Sequence, residues 1–393
     1  MKSLLPSIIF VILAYPLYAR EESDSIQTDT TRLVQEVHPQ DLEKSKLEIS
    51  WRGYIKFNTF YNYNGMKSTE GFLPYEIPVD PVLNENLNGL YAGARQSRLG
   101  METRVDTRIG RIRTYLEMDF ASPETPYALR LRHAYGQIGF FTLGHTWSTF
   151  TDVSSIPRTV DLEGPPSGVS VRHGLMRFEK RFADELILAL SLENPLKDFD
   201  NPYDTLDVDF QQSFDVVGKF RLNFENNTHF QFSMLYRKLF YTSPSGAKLE
   251  DAYGFQFSGR FFLTPINQIT TQLILGKGIS RYITTLTERG LDAYPDPFGN
   301  LNPLQTYGGF VAFEHFWNEK WSSTVVSGYI AIVNHSNQPD DAYKSSVYGS
   351  VNTFWEPIET LRLGAEVTMG NRINKDGQIG TATRAQFAAI FFF

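Results

Sequence analysis

From Ile49 to the end of the chain, apolar and polar side chains take turns with a period of two. That period marks strands whose two faces meet different surroundings. Near the start, Trp51, Ile55 and Phe57 oppose Arg52, Lys56 and Asn58. In 111–120, Ile112, Leu116, Met118 and Phe120 oppose Arg111, Arg113, Glu117 and Asp119. The pattern recurs in 186–193, 229–237, 253–263 and 361–369, and closes with Phe387, Phe391 and Phe393 against Arg384 and Gln386. A soluble sandwich alternates too, but the connections discriminate. Tight turns at Gly110, Ala183-Asp184, Glu225–Asn227, Thr264–Asn267, Asn318–Lys320 and Glu356–Glu359 alternate with longer polar stretches at 65–93, 148–168, 195–209, 284–303 and 335–341. Short turns at one end and long loops at the other are the habit of a bacterial outer-membrane barrel. The expected fold is an all-β transmembrane antiparallel barrel of about 16 strands, even in number and wide enough for water.

Composition agrees. The chain of 393 residues holds 31 Phe and 20 Tyr, no Cys, and a mean hydropathy of only −0.28. Such values suit strands that face lipid on one side and water on the other. Without Cys there is no thiolate chemistry and no Cys-ligated metal. The formal charge of −7 argues against nucleic acid as a partner. Residues 1–19 read as a secretory signal, with Lys2 before the apolar run Leu4–Ala14 and a cleavage region at Leu17-Tyr18-Ala19. Residues 20–48 read as a polar periplasmic arm, and 49–393 as the barrel. Phe393, terminal on an alternating strand, resembles the signal that barrel assembly machinery reads. Trp317, Trp321 and Trp355 sit where an interfacial girdle belongs.

With the apolar parity outward, the early strands send Arg52, Lys56, Arg98, Arg104, Arg111, Arg113, Arg130, Arg132 and Arg172 into the lumen, against Glu102, Asp106, Glu117 and Asp119. Later strands add Lys219, Arg221, Arg237, Arg260, Arg362 and Arg384, while much of the acid falls in loops. An acidic protein can thus hold a basic channel. Guanidinium groups replace water around carboxylates, and in a narrow passage their field concentrates anions. The alternative is that these arginines pair with Glu102, Glu117 and Asp119 and stiffen the wall. The connection 148–168 follows the fifth strand and is expected to fold inward, carrying Asp152, Arg158, Asp161 and Glu163 toward the arginines. The competing expectation is an ordinary surface loop. His133, His145 and His173 have outward parity, which suits a subunit interface better than a metal site. No cofactor is expected.

Three pieces of this block resemble the DcaP-like porin family: Ala94-Arg95-Gln96-Ser97-Arg98-Leu99-Gly100, Leu129-Arg130-Leu131-Arg132-His133-Ala134-Tyr135-Gly136, and Gly144 with Thr146-Trp147-Ser148-Thr149-Phe150 and Asp152. Glu163-Gly164-Pro165 and Gly168 complete the set. The resemblance implies a trimeric outer-membrane channel for small organic anions, usually dicarboxylates. It makes Arg98, Arg130 and Arg132 pore-lining and 148–168 the constriction loop. The arm here is shorter and more broken than the periplasmic coiled coil the family carries.

Three other functions stay open from the residues alone. A general, weakly selective porin shares the architecture, and ion preference separates the two. A barrel enzyme needs a nucleophile beside a base at the rim; the nearest candidate, His335-Ser336, lies in a loop. A purely structural barrel requires a blocked lumen.

Overall fold

The alternating segments pair in sequence order. In the computed structural model, which describes residues 47–393 except 67, 69, 81–87, 123, 124, 126, 205, 208 and 209, each strand lies antiparallel to the next. The strands are β1 (Leu47–Tyr63), β2 (Gly89–Gly93), β3 (Arg98–Thr107), β4 (Gly110–Asp119), β5 (Arg130–Ile138), β6 (Phe141–Trp147), β7 (Arg172–Arg181), β8 (Leu186–Glu193), β9 (Asp215–Asn223) and β10 (His229–Ser243). They continue as β11 (Gly246–Thr264), β12 (Asn267–Lys277), a small hairpin of β13 (Ala293–Pro295) and β14 (Leu301–Pro303), then β15 (Gln305–Phe316), β16 (Trp321–Val333), β17 (Tyr343–Ile358), β18 (Leu361–Asn374) and β19 (Ile379–Phe392). β2 and β3 both pair with β1, so they are two halves of one interrupted strand. Counting them as one and leaving out the hairpin gives sixteen barrel strands. β19 returns to β1, pairing Tyr54 with Phe392, and Gly53 and Phe393 exchange two backbone hydrogen bonds of 3.2 Å. The sheet therefore has no free edge. The signal and nearly all of the arm lie outside the described residues, and Leu47 and Glu48 already belong to β1.

The outer face is apolar, with Trp51, Phe57, Leu143, Leu190, Leu273 and Val351 all exposed. At the tight-turn end Trp317, Trp321 and Trp355 are exposed, and the last two rings stack at 5.7 Å. The wall is uneven in height. β3 to β9 run 7–10 residues each, about the length that just spans a bilayer. β10, β11 and β15–β19 run 12–19 residues.

The lumen is not an open tube. The 148–171 connection folds inside, as its position after the fifth strand predicts. Two further connections expected to be polar surface loops fold in as well. Phe72 and Ile77 of the first are fully buried in a cluster with residues of β15, β16, β17 and β19. Ile279, Tyr282, Ile283 and Leu286 of the 278–304 connection are fully buried with Phe150, Val169 and Val171. Burying such side chains is worth roughly 1.5–3 kcal/mol each. These loops could not stay out in water without losing that.

Candidate anion passage

The tall wall uses its inward charges to seat the loops. Arg237 is 1% exposed and bridges Asp215 (3.0 Å) and Asp292 (2.6 Å), the latter on the 278–304 loop. Arg281 of that loop reaches Asp215 at 3.2 Å and His173 at 3.1 Å. Arg384 stacks over Phe60 at 3.9 Å and donates to the Ser68 carbonyl at 2.8 Å. On the 148–171 loop, Asp152 accepts from His229 (2.8 Å), Ser258 (2.8 Å) and Arg221 (3.1 Å) on β9–β11. Further along, Glu366 of β18 accepts from the Val160 and Asp161 amides at 2.9 and 3.1 Å, and Lys56 of β1 donates to the Val160 carbonyl at 2.9 Å. Arg158 pairs with Glu314 (3.3 Å) and Glu356 (3.0 Å). Of the four charged loop residues expected to meet the arginine wall, Asp152, Arg158 and Asp161 instead grip the opposite side. Glu163 shares a cavity with it.

The short wall is different. Its arginines lie over few acids and many rings. Glu102 receives Arg52, Arg104 (2.5 Å) and Arg113 (2.8 Å). Glu117 and Asp119 are shared by Arg98 (3.4 Å to Glu117), Arg130 (2.8 Å to Asp119) and Arg132 (3.2 Å to Glu117, 2.7 Å to Asp119). Six guanidinium groups on three carboxylates leave three positive charges. Arg98 lies over Tyr54 at 5.3 Å, and Arg113 over Tyr115 and Tyr135 at 5.7 and 5.5 Å. Arg172 has its guanidinium 3.6 Å from the centre of the Trp147 ring; among the described residues no carboxylate bridges it, and its buried Nε has no partner. Arg111 stands apart at the tight-turn rim, half exposed beside Glu48 (2.9 Å) and Asp106 (3.3 Å).

Arg98, Arg130, Arg132, Trp147 and Arg172 line a cavity of about 660 Å³ together with Ile156, Leu162 and Glu163 of the inward loop. Lys197, Asp198 and Arg281 close it from the other loops. The half-buried Glu163 makes no side-chain ion pair or hydrogen bond among the described residues. Burial and the neighbouring Asp161 carboxylate push its pKa up to about 7, while Arg130, Arg132 and Arg172 pull the other way. Burial and Asp292 likewise push Asp198 up to about 7. Arg104 and Arg113 lie beside Glu102 and do not line the cavity, and Arg158 and Arg111 are also outside it.

Strict alternation fails at one place with consequences. The register between β4 and β5 shifts at Glu117/Met118, so Arg130 faces Asp119, His133 faces Glu117, and Arg132 is the extra residue. Such a bulge puts two neighbours against one partner and re-aims side chains. Arg130 and Arg132 thus converge on Asp119, and His133 turns inward, 6% exposed and 3.0 Å from Thr146. His173 is inward too, since it pairs with buried Thr146. The outward parity read for both is therefore wrong. Arg172 takes the other face by register, but as the first residue of β7 it turns over Trp147 and into the cavity. His145 pairs with Ala134 and Gly174 and is half-buried. Trp147, Tyr54, Tyr115 and Tyr135 were not singled out as functional in the sequence; four aromatic rings among repeated arginines were the available signal.

This barrel, basic on one side and folded in by its loops, has relatives. The DcaP outer membrane protein family matches residues 31–391. The chain belongs to that family. The outer membrane channel DcaP of Acinetobacter baumannii superposes with a TM-score of 0.78 at 18% identity, over 88% of this chain and 97% of that one. An anion-selective porin from Comamonas acidovorans gives 0.60 at 9% identity, over 88% and 100%. A trimer form of OmpT, an outer membrane protein of Vibrio cholerae, gives 0.55 at 10% identity, over 88% and 99%. None of the curated proteins matches. Members of the DcaP family are outer-membrane proteins, and the barrel here is of the porin kind: this chain is an outer-membrane porin.

Proposed function

We propose that the channel passes small anions, organic dicarboxylates above all, by diffusion along the short wall. The observation that carries this is Arg172, a mostly buried guanidinium held on the Trp147 ring with no carboxylate of its own, facing the cavity. A buried cation without a partner is costly, and a solute carboxylate relieves it with charge-assisted hydrogen bonds. The three positive charges left over around Glu102, Glu117 and Asp119 extend the attraction along the wall. A second carboxylate on the same solute finds the positive charge left over on the Arg98–Arg130–Arg132 group while Arg172 holds the first. The 148–171 loop acts as the constriction. Nothing in this chemistry breaks a bond, so the chain works as a channel and not as an enzyme.

The Comamonas neighbour is described as anion-selective, which favours this reading over a general porin. The trimer form of the Vibrio neighbour favours a homotrimer, with the low wall as the side a partner barrel covers. Phe393 serves as the recognition end for barrel assembly. Reversal potential across a salt gradient in a planar bilayer tests the channel. Anion preference with current block by succinate or phthalate is expected. Cation preference, or no block, leaves a general porin.

A further inference from the structure

The closed barrel parts at one place on its short wall. The ladder between β5 and β6 stops at Ala134 and His145 after five pairs. Above it β5 keeps only β4, while β6 leaves with β7, pairing Thr146 with His173 and Trp147 with Arg172. Just below the split the strands are pressed together: a Cβ on Gly144 would lie 2.3 Å from the Ala134 carbonyl oxygen. At its foot the His133 ring and the Thr146 hydroxyl meet at 3.0 Å. Five pairs at about 3.3 Å each, on strands tilted by about 40°, end roughly 12 Å above the tight turn, inside an apolar band about 25 Å tall. A bare backbone edge does not face lipid at that depth, but it is tolerated where it lines a water-filled space. The arginine cavity is that space, and it runs through the split. Arg98, Arg132 and His173 line it from the lumen. Leu131 and His145 line it too, and both belong to the outer face. Leu131 is half exposed opposite Met118, and His145 alternates with the exposed Phe141 and Leu143. One cavity touches both faces of a wall only where the wall is open. Arg172, outward by register, stands in this gap on the Trp147 ring.

We infer that the cavity has a second, lateral mouth between β5 and β6, and that this mouth takes amphipathic monocarboxylates, with the carboxylate on Arg172 and the alkyl chain laid over Leu131 toward the lipid. This use of the cavity rests on the anion reading above. A dicarboxylate gains nothing from such a slot, because its second charge would have to enter apolar surroundings. An alkyl chain gains the burial of its methylenes. A partner barrel then packs against β1 to β4 and leaves the exposed Phe141, Leu143, Met176 and Phe178 of β6 and β7 to the membrane.

The test is made on the full-length channel in planar bilayers at about pH 8, where the solute carboxylates are ionised. Each fully covered methylene strengthens binding about fourfold, so octanoate with about three of them covered should reach half block at a concentration about sixtyfold below acetate. In Leu131→Trp, whose ring fills the mouth, that advantage should shrink to about fivefold, while succinate block stays within about twofold of the parent. The mouth itself is read with a thiol. The chain has no Cys, so Leu131→Cys presents a single one. A small anionic methanethiosulfonate added to the water should modify it in the assembled channel and leave Leu143→Cys, outward on the next strand, untouched. Heat-modifiable mobility shows that each variant has assembled. Octanoate no stronger than acetate, with succinate still blocking, overturns the lateral mouth and leaves the anion reading standing; a partner barrel seated over the split gives this result together with an unreactive Leu131→Cys. Equal reaction at both thiols overturns the mouth as well, since water then reaches the outer face without it. Block by neither succinate nor octanoate overturns both readings.

Discussion

Arg172 and Arg237 sit on opposite sides of one lumen. Arg237 stands on the tall wall between two carboxylates, almost without solvent, and fixes the 278–304 loop. Arg172 stands on the short wall over an indole ring, with a cavity in front of it. The same division holds around them. Arg384 holds a loop, whereas Arg98, Arg130 and Arg132 divide two acids among three cations. An inward arginine is thus not in itself a binding group. What decides is whether a loop brings it an acid. The loop acids come down mainly on the tall side and on β9, so the passage is pressed against the arginines of β3 to β7 that remain.

Arg237→Ala should show the largest effect. It leaves Asp292 without its cation and Asp215 with Arg281 alone in a dry site, and breaking a buried pair in this way costs about 3–5 kcal/mol. Lower heat resistance and protease cutting within 278–304 are expected, with anion preference unchanged in whatever barrel still assembles. If the variant assembled well and lost only its anion preference, the division between the two walls would be broken. Next comes Arg172→Ala, which should raise the dicarboxylate concentration for half block about tenfold, near the value of one charge-assisted hydrogen bond. Its thermal stability should not fall, because no protein carboxylate loses a partner. Trp147→Leu tests the ring beneath it. Losing a cation–π contact of about 1 kcal/mol should weaken block roughly fivefold. The smallest effect belongs to Arg111→Ala, at the half-exposed rim beside Glu48 and Asp106. Screening there should keep the change in anion preference within about twofold. A larger change would move part of the selectivity to the tight-turn mouth.

Much of the wall was legible in the sequence because alternation is the direct imprint of a two-sided strand. The strand number, the inward third loop and the meeting of the terminal strand with the first all follow from it. The orientation of His133 did not follow. A single extra residue at Arg132 reverses parity downstream, and no residue in Leu-Arg-Leu-Arg-His marks a bulge. The inward folds of the first connection and of 278–304 were missed for another reason. They were read by their polar majority, whereas Ile279, Tyr282 and Ile283, just before the expected 284–303 loop, and Leu286 within it recur at spacings of three, one and three. Side chains of that size seek cover, and the lumen was the nearest place to find it. For the site, arginine type and parity were visible, but the sorting into loop anchors and free groups depends on contacts between residues far apart in the chain, such as Arg158 with Glu356 and Arg384 with Ser68.

The seat of Val160 and Asp161 has a bearing on how the barrel is made. Its partners are Lys56 on β1, Glu366 on β18 and Gln386 on β19, so it straddles the line where the first and last strands meet. Until that line closes, the seat does not exist. Once it closes, the loop bolts the two margins together from within. Closing the wall thus also completes the seat of the constriction, and a barrel whose seam opened would lose its narrow point at the same place.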